Sequence, residues 1–246
     1  MDVIPYRIKY IDTDIATSDA MYEDVAGGRE HYFSVGSSAL NIIVSVLALA
    51  GIESPKTILD FGCGAGRVTR WLRVAFPQST ISASDLRNDD LAFVSAKFGA
   101  NTWVSGTDPD SMSMQQPLPF DLIWVGSVIT HLEAVKTSSL IHKLFEWLTP
   151  GGLLITTFHG RKAVTIGNTR QYDYLGDRDL WDKVVAEYES AGYGYSDYLG
   201  VKGYGISLIS HEWMIKLVNR VAGSRIMLLG EALWDSHHDI LALQKV

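Results

Sequence analysis

Three glycines at every second position could hold a ligand; they lie in TILDFGCGAGRVTRWL, residues 57–72. An apolar run precedes them and apolar residues at helical spacing follow, which predicts a strand, a tight turn and a helix. Such a turn aims backbone amides and the positive end of a helix at its ligand. Because dinucleotides, mononucleotides and other adenosine cofactors all use this turn, Gly62, Gly64 and Gly66 predict a cofactor site but leave the cofactor open.

The neighbours of the glycines narrow the choice of cofactor. A dinucleotide loop carries glycine at the sixth position of G-x-G-x-x-G, where this chain has Arg67. Asp60 precedes the glycines, and a carboxylate there would repel a pyrophosphate but suit an ammonium or sulfonium group. Asp85, which ends the next predicted strand, can accept hydrogen bonds from ribose hydroxyls of either cofactor class. Cys63, the single cysteine, is expected to be a small packed residue of the loop.

The elements that must hold this loop alternate in type along the chain. Apolar runs predict five strands, with helical patterns between them, at 57–61, 80–85, 101–106, 120–127 and 153–158. Strands that alternate with helices form right-handed crossovers and a parallel sheet covered on both faces. Two further runs, 225–233 and 239–246, are joined by so few residues that they must pair antiparallel.

Two segments fall outside this alternation. Residues 1–54 predict a helical cap on the core, in which the apolar run 39–52 is a buried helix, too short for the roughly 20 residues of a membrane span. Residues 161–208 interrupt the main domain, 55–246, as an insertion with one clear helix and a stretch rich in glycine and tyrosine. The first residues show no positive charge ahead of an apolar core, so no secretory signal is expected.

Charge and cysteine content exclude some classes of function. A net charge of -7 gives no broad basic surface, which disfavours a nucleic-acid partner held through phosphates. The single cysteine excludes an internal disulfide and a cysteine-rich metal cluster and is compatible with a reducing cytoplasm. We therefore expect a cytoplasmic protein without a metal that acts on a small molecule, and a homodimer is compatible with this composition.

Four motifs occur in the order found in one known family. ILDFGCGAGR, ISASD, FDLIWVGSVITHL and LTPGGLLITTF resemble the first, second, fourth and fifth strand motifs of the class I S-adenosylmethionine-dependent methyltransferases. The resemblance implies a Rossmann-like, doubly wound α/β fold: a seven-stranded, mostly parallel sheet with an antiparallel last strand and helices on both faces. It also implies that S-adenosylmethionine is the cofactor.

The resemblance extends to individual cofactor residues. The glycine loop would surround the methionine end, Asp85 would bind the ribose and Leu86 would cover one face of the adenine. Asp108, in the loop after the third strand, would contact the adenine amino group. The positions expected to line the cofactor are Asp60, Gly62, Cys63, Gly64, Gly66, Arg67, Asp85, Leu86, Asp108, Gly126 and Ser127.

The substrate is expected beyond the carboxyl ends of the strands, where ligands of open α/β sheets lie. His131 follows the fourth strand, and the spacing of Thr130 and Glu133 predicts a capping box that places it in the first helical turn. The positive helix end should lower the pKa of His131, so that the neutral ring can act as a base. A structural bond to a neighbouring loop is the alternative.

Further histidines are expected at the same edge. His159 and Arg161 end the fifth strand, and the turn between the last two strands should bring His237 and His238 close to His159. Adjacent histidines of a strand point to opposite faces, so a metal site that uses both is not expected. A hydrogen-bond cluster that orients the substrate is expected instead, in which His159 and His237 are candidate catalytic residues and Arg161 and His238 bind the substrate. A purely structural turn is the alternative.

The insertion carries tyrosines spaced by glycines at Tyr193, Tyr195, Tyr198 and Tyr204. As a lid they would offer aromatic faces and hydroxyls to a sugar or another polar organic acceptor, and they would exclude water. A compact surface loop without a ligand is the alternative.

The expected activity is methyl transfer to a hydroxyl oxygen of a small-molecule, sugar or glycan acceptor, as in bacterial glycan or natural-product modification. N-methylation of a small amine, an NAD-dependent oxidoreductase and a non-catalytic cofactor-binding protein are the alternatives. The oxidoreductase would need the glycine that Arg67 replaces.

Overall fold

The structure is a computed structural model that describes residues 10–113 and 119–246. The expectation about a secretory signal concerns residues 1–14, of which residues 1–9 lie outside the described residues. The strands are β1 Thr57–Phe61, β2 Thr80–Asp85, β3 Asn101–Val104, β4 Phe120–Val125, β5 Leu148–His159, β6 Tyr193–Asp197, β7 Gly205–Ile209, β8 Ser224–Trp234 and β9 His238–Lys245. The helices are α1 Gly28–Ala50, α2 Thr69–Ala75, α3 Asn88–Phe98, α4 Ala134–Glu146, α5 Arg161–Asn168, α6 Arg178–Ala191 and α7 His211–Val218.

Seven strands form the main sheet in the order β3-β2-β1-β4-β5-β9-β8. The strands β1 to β5 pair in parallel, and β9 pairs antiparallel with both β5 and β8. The connection from β8 to β9 is a tight turn, which only an antiparallel pair allows. The predicted mostly parallel sheet with one antiparallel strand is therefore confirmed.

Alternate strand residues pack into two cores on opposite faces of the sheet. Ile58 and Trp124 lie in one core with residues of α1, α2 and α3. Leu59 and Ile123 lie in the other core with residues of α4 and α7. A strand that is buried on both faces needs apolar residues at successive positions, which explains the continuous apolar run of β4.

The helix α1 lies in the core along one stripe. Its 23 residues bury this stripe at intervals of three and four: Tyr32, Val35, Ala39, Ile43 and Val46. By length and composition, Gly28–Leu49 is also apolar enough to cross a membrane, with a mean hydropathy of 1.7. The prediction that run 39–52 is too short for a span was wrong about the length, because the helix begins at Gly28; its predicted burial is confirmed.

The insertion is more regular than the sequence indicates. After α5 and α6, the strands β6 and β7 form a hairpin, and Trp181 and Leu208 belong to a third core. Gly194 allows close packing of β6 on α6, because a Cβ there would meet the Val184 carbonyl oxygen at 1.9 Å. Glycines within such short strands interrupt the alternation of apolar and polar side chains, so the sequence pattern did not predict β6 and β7.

The helix α4 begins later than the capping-box spacing predicts. Thr130 and His131 lie in a short 3₁₀ turn, and Glu133 is the N-cap of α4 without a side-chain cap bond. The predicted capping box was wrong, because the Thr130 hydroxyl lies 3.3 Å from the Ser127 hydroxyl instead. His131 consequently precedes the helix rather than lying in its first turn.

Candidate functional site

The glycine loop lies at the carboxyl end of β1, and its three glycines have positive φ. Gly62 and Gly66 are enclosed, because a Cβ would meet Val128 at 2.3 Å and Phe98 at 2.5 Å, respectively. A Cβ on Gly64 would meet no described atom within 4 Å. The loop thus presents the Gly64 backbone to open space, as the close approach of a ligand requires.

Asp60 lies beneath this loop, is 2% exposed and accepts a 2.6 Å hydrogen bond from the Thr69 hydroxyl. Burial raises the pKa of Asp60 to about 7, and the negative charge of Asp85 acts in the same direction. A nearby cation would favour the ionised form of such a carboxyl group. Cys63 is buried, as predicted, and burial raises the pKa of its thiol well above the usual value.

Asp85 ends β2 and accepts hydrogen bonds from three backbone amides. Its Oδ2 accepts from Gly64 at 2.8 Å, and its Oδ1 accepts from Leu86 at 2.7 Å and from Arg87 at 3.2 Å. These contacts hold the carboxylate at the edge of the glycine loop. The Leu86 side chain is half exposed, so it is free to cover an apolar ligand surface.

Other predicted cofactor residues lie in the loops that follow β3 and β4. Gly126 packs against the indoles of the core, and Ser127 has a φ of 56° and donates its N–H to the Thr157 hydroxyl at 2.8 Å. Positive φ outside glycine costs energy and concentrates at functional sites. Asp108 accepts a hydrogen bond from the Asp110 N–H within its own loop, and its contact with adenine stays a prediction.

An arginine that the sequence patterns did not single out fastens the segment before α1 to α2. Arg70 on α2 is 1% exposed and donates to the carbonyl oxygens of Asp12 and Asp14 at 3.1 and 2.8 Å. It also donates to the Tyr32 hydroxyl at 3.2 Å, and the Arg67 guanidinium lies 6.0 Å from the centroid of the same ring. No sequence pattern distinguishes such a buried arginine from an exposed one.

His131 is held by the insertion. Its Nδ1 lies 2.8 Å from the carbonyl oxygen of Gly205, and a carbonyl only accepts. The neutral ring therefore carries its proton on Nδ1 and keeps a lone pair on Nε2. Burial lowers the pKa of His131, while the Gly205 carbonyl acts in the opposite direction. The direction is as predicted, but the cause is burial and not a helix end.

Two of the predicted lid tyrosines contact His131. The Tyr204 ring stacks on the imidazole with centroids 4.7 Å apart, and the Tyr198 hydroxyl lies 3.2 Å from Nδ1. Burial, and then the negative charge of Asp85, raise the pKa of Tyr204. Tyr204 therefore lies near both His131 and Asp85.

The other two tyrosines do not join this group. Tyr193 is buried, and its hydroxyl donates to the Leu132 carbonyl oxygen at 2.7 Å. The Tyr195 hydroxyl donates to Asp197 at 2.6 Å. Both hydroxyl protons are thus used in contacts within the fold, contrary to the predicted role of these tyrosines in facing a substrate.

His159 and His238 meet across the sheet, as predicted from the turn. They are directly opposite in the pairing of β5 with β9, and their Nε2 atoms lie 3.1 Å apart. His238 Nδ1 lies 3.3 Å from the hydroxyl of Thr157, which accepts the Ser127 N–H. Burial lowers the pKa of both histidines well below the usual value, so both rings are neutral at pH 7.

His237 joins them from the turn between β8 and β9. Its ring centroid lies 4.2 Å from that of His238 and 5.7 Å from that of His159. The expectation that the adjacent histidines point apart was wrong, because His237 is not a strand residue. Asp235 and Ser236 have positive φ, and the turn they form brings His237 back over the sheet edge.

Two further residues lie beside the histidines at the end of β5: Arg161, which the sequence predicted, and Tyr174, which it did not. Arg161 is exposed and donates to Glu231 at 2.6 Å. Tyr174 was missed; its ring lies 5.1 Å from His159 and stacks on Trp181 at 5.2 Å. It also lines a cavity of about 320 Å³ within the insertion. Tyr174 lies in a turn-rich stretch, where periodicity carries no signal.

Known proteins match this chain in sequence. Residues 59–154 match a family model described as a methyltransferase domain. A malonyl-[acyl-carrier protein] O-methyltransferase of Halalkalibacterium halodurans is 32% identical over 112 residues, which cover 44% of this chain and 41% of that protein. A phosphoethanolamine N-methyltransferase of Plasmodium falciparum is 24% identical over 170 residues, 68% of this chain and 56% of that protein. The chain spans less than half the length of the malonyl-[acyl-carrier protein] O-methyltransferases that it matches, 41% to 46%.

Solved structures match over most of the chain. The plantazolicin methyltransferase BpumL in complex with SAH has a TM-score of 0.60 and 12% identity, and the match covers 89% of this chain and 86% of that chain. The magnesium protoporphyrin IX methyltransferase ChlM from Synechocystis PCC 6803 with bound SAH has a TM-score of 0.57 and 16% identity, and covers 98% and 93%. At these identities the likeness concerns the fold. Residues 59–154 are therefore a methyltransferase domain, and the strand order of the sheet is that of the Rossmann-like fold of these solved methyltransferases.

Proposed function

We propose that the protein transfers the methyl group of S-adenosylmethionine to a hydroxyl oxygen of a small polar acceptor. One observation carries this proposal. The contact of His131 Nδ1 with the Gly205 carbonyl leaves a lone pair on Nε2, at the sheet edge where a substrate of this fold would lie. A neutral imidazole with a free nitrogen is the group that deprotonates a hydroxyl.

The cofactor would bind along the glycine loop. Its methionine end would lie over Gly64, where the backbone is open, and its positive charge would favour ionised Asp60 below. The ribose would lie at Asp85 and the adenine against Leu86, which is half exposed. The charge of Asp60 and the lack of a sixth-position glycine support S-adenosylmethionine over NAD.

In the proposed reaction, the acceptor oxygen attacks the methyl carbon in line with the sulfonium sulfur. The hydroxyl proton passes to His131 Nε2, the C–O bond forms as the C–S bond breaks, and the sulfonium becomes a neutral thioether. A positioned base contributes about 10²–10⁴-fold to such a step. Loss of the positive charge also removes the attraction to Asp60, which favours release of the spent cofactor.

The acceptor is proposed to be a sugar or another polar organic molecule. Tyr198, Tyr204 and Tyr174 supply aromatic faces with hydroxyl groups around the edge that carries His131 and His159. Such a wall suits a ring that is apolar on its faces and polar at its rim. Glycan or natural-product modification is the setting that this chemistry favours.

N-methylation of a small amine is the second candidate. It is favoured by the similarity to the phosphoethanolamine N-methyltransferase, which extends over 68% of this chain. A neutral amine is nucleophilic through its nitrogen lone pair before it loses any proton, whereas a hydroxyl must lose its proton during the attack. Methylation of an amine therefore depends less on a protein base. The two candidates therefore differ in how strongly turnover depends on His131.

The test is transfer of a labelled methyl group from S-adenosylmethionine to matched acceptors. Pairs of sugars and polar aromatic compounds would carry either a hydroxyl or an amine at the same position, and the labelled products would be identified by mass spectrometry. Label on oxygen is the expected result. Label on nitrogen alone would overturn O-methylation and favour the second candidate.

A further inference from the structure

We propose that His159, His237 and His238 form a binding site for a divalent transition-metal ion of the Zn²⁺ class. The open position of this ion would take an oxygen of the acceptor. The role in binding the acceptor rests on the proposed methyl transfer, whereas the metal site itself rests on the geometry of the three histidines.

The three imidazoles converge on one small space at the sheet edge. One ring nitrogen of each lies within 4.8 Å of the others. The Nε2 atoms of His159 and His238 are 3.1 Å apart. Two imidazole nitrogens that share a tetrahedral Zn²⁺ at about 2.0–2.1 Å lie roughly 3.3 Å apart. A very small outward movement would therefore let one ion bind both nitrogens.

Contacts at the opposite ring nitrogens leave Nε2 available in two of the rings. His237 Nδ1 lies 2.6 Å from the Asp235 carbonyl oxygen, which only accepts, so the proton is on Nδ1 and the lone pair on Nε2. His238 Nδ1 lies 3.3 Å from the Thr157 hydroxyl, which can accept its proton. Metal-binding histidines are commonly oriented by such a bond at the second nitrogen.

His159 provides the third ligand. It is 3% exposed, and within residues 10–113 and 119–246 its Nδ1 makes no well-aligned hydrogen bond, although the backbone of Ser207 lies close enough to act on the ring. If His238 carries its proton on Nδ1, its Nε2 accepts a proton from His159 Nε2, and the buried Nδ1 of His159 keeps a lone pair that no described donor meets. With a cation on Nε2, the proton of the His159 ring lies on Nδ1 instead, where the Ser207 backbone can accept it.

The surroundings of the three histidines fit an ion that activates an oxygen. Three histidines with one open position are a ligand set used by catalytic Zn²⁺ sites. Among the charged neighbours, Arg67 opposes a cation near His238, and the Asp235 carboxylate offsets part of the charge of Arg67. A hydroxyl bound to such an ion has a lowered pKa, and its proton would pass to Nε2 of His131.

The test is titration of the chelator-treated chain with Co²⁺, followed by visible absorption, and then displacement by Zn²⁺. We expect one ion per chain. Loss of a hydrogen bond that supports a metal ligand weakens metal binding roughly 10–100-fold. His237→Ala removes a ligand itself, at a half-buried position, and should weaken Co²⁺ binding by more than that. Thr157→Val removes the support of His238, together with the acceptor of the Ser127 N–H, but no proposed ligand, and should weaken binding within that range.

The matched control is His211→Ala. His211 belongs to a second group of metal-type side chains, with Glu231 and Asp239, and its removal should leave Co²⁺ binding unchanged. Absence of Co²⁺ binding in the natural chain, or loss in His211→Ala and not in His237→Ala, would overturn the proposal. S-adenosylhomocysteine binding is measured in parallel, so failure of the metal site is distinguishable from failure of the proposed methyltransferase function.

Discussion

The carbonyl oxygen of Gly205 lies 2.8 Å from Nδ1 of His131 and decides which nitrogen of that ring can act as a base. Gly205 begins β7 of the insertion, and His131 lies in the turn after β4 of the main sheet. One hydrogen bond therefore couples the proposed lid to the proposed base.

Removal of the base should separate chemistry from cofactor binding. In His131→Gln, we expect kcat for a hydroxyl acceptor to fall about 10²–10⁴-fold, while affinity for S-adenosylmethionine is retained. The matched control is His142→Gln, because His142 Nδ1 also lies 2.8 Å from a backbone carbonyl oxygen, that of Ser138. Equal losses in the two variants, measured by steady-state kinetics and calorimetry, would contradict the role of His131.

The pH profile should show the same base. Because burial lowers the pKa of His131 below 6.5, the ring is neutral at pH 7 and becomes protonated only in more acid solution. At saturating S-adenosylmethionine, kcat/KM for the acceptor should rise with pH and level off, with its midpoint below 6.5. His131→Gln should lose this inflection. A midpoint that persists in the variant would assign it to another group.

Affinity for the methyl donor should depend on pH through Asp60. Its pKa of about 7 means that it gains a proton, and loses its attraction for a cation, as the pH falls through neutrality. Binding of S-adenosylmethionine should weaken roughly tenfold between about pH 8 and pH 6. Asp60→Asn keeps an oxygen for the Thr69 hydroxyl and should bind weakly at both values. Calorimetry that finds the same pH dependence in Asp60→Asn would contradict this assignment.

Gly64 and Gly99 form a matched pair for testing the loop. Their φ values are 50° and 59°, and a Cβ on either would meet no described atom within 4 Å. Alanine at each should lower the free energy of unfolding by a similar amount, about 1–2 kcal/mol, measured with urea. Only Gly64→Ala should lose affinity for S-adenosylmethionine. If both variants bind it equally, Gly64 does not face the cofactor.

Arg70 should control the segment before α1. Arg70→Met removes the donor to two backbone carbonyls and to Tyr32, so we expect unfolding to cost about 3 kcal/mol less. Limited proteolysis before α1 should become faster. Arg73→Met is the control, because Arg73 donates to carbonyls of Phe98 and Ser79 instead. Unchanged proteolysis in Arg70→Met would show that other contacts hold the segment.

The sheet was predictable because its signals are local. Apolar runs marked β1 to β5, the glycine loop marked the first crossover, and the short β8–β9 connection required an antiparallel pair. Glycines at Gly194 and Gly205 concealed β6 and β7, because they interrupt the side-chain alternation that identifies strands. The cytoplasmic location and a homodimer stay predictions.

The site was only partly predictable because its key contacts join distant segments. The position of His159 opposite His238 followed from topology. The placement of His131 did not, since the Thr130 hydroxyl contacts Ser127 and no capping box forms. The position of His237 beside His238 was not predictable either. Positive φ at Asp235 and Ser236 reverses the chain direction there, and the spacing of residues in the sequence does not reveal such a reversal.

Calorimetric titration of the chain with S-adenosylmethionine, S-adenosylhomocysteine and NAD tests the central claim most directly. Both adenosyl compounds should bind at one site per chain, and NAD should not bind. Binding of NAD alone, or of none of the three, would contradict the assignment of the glycine loop to the methyl donor.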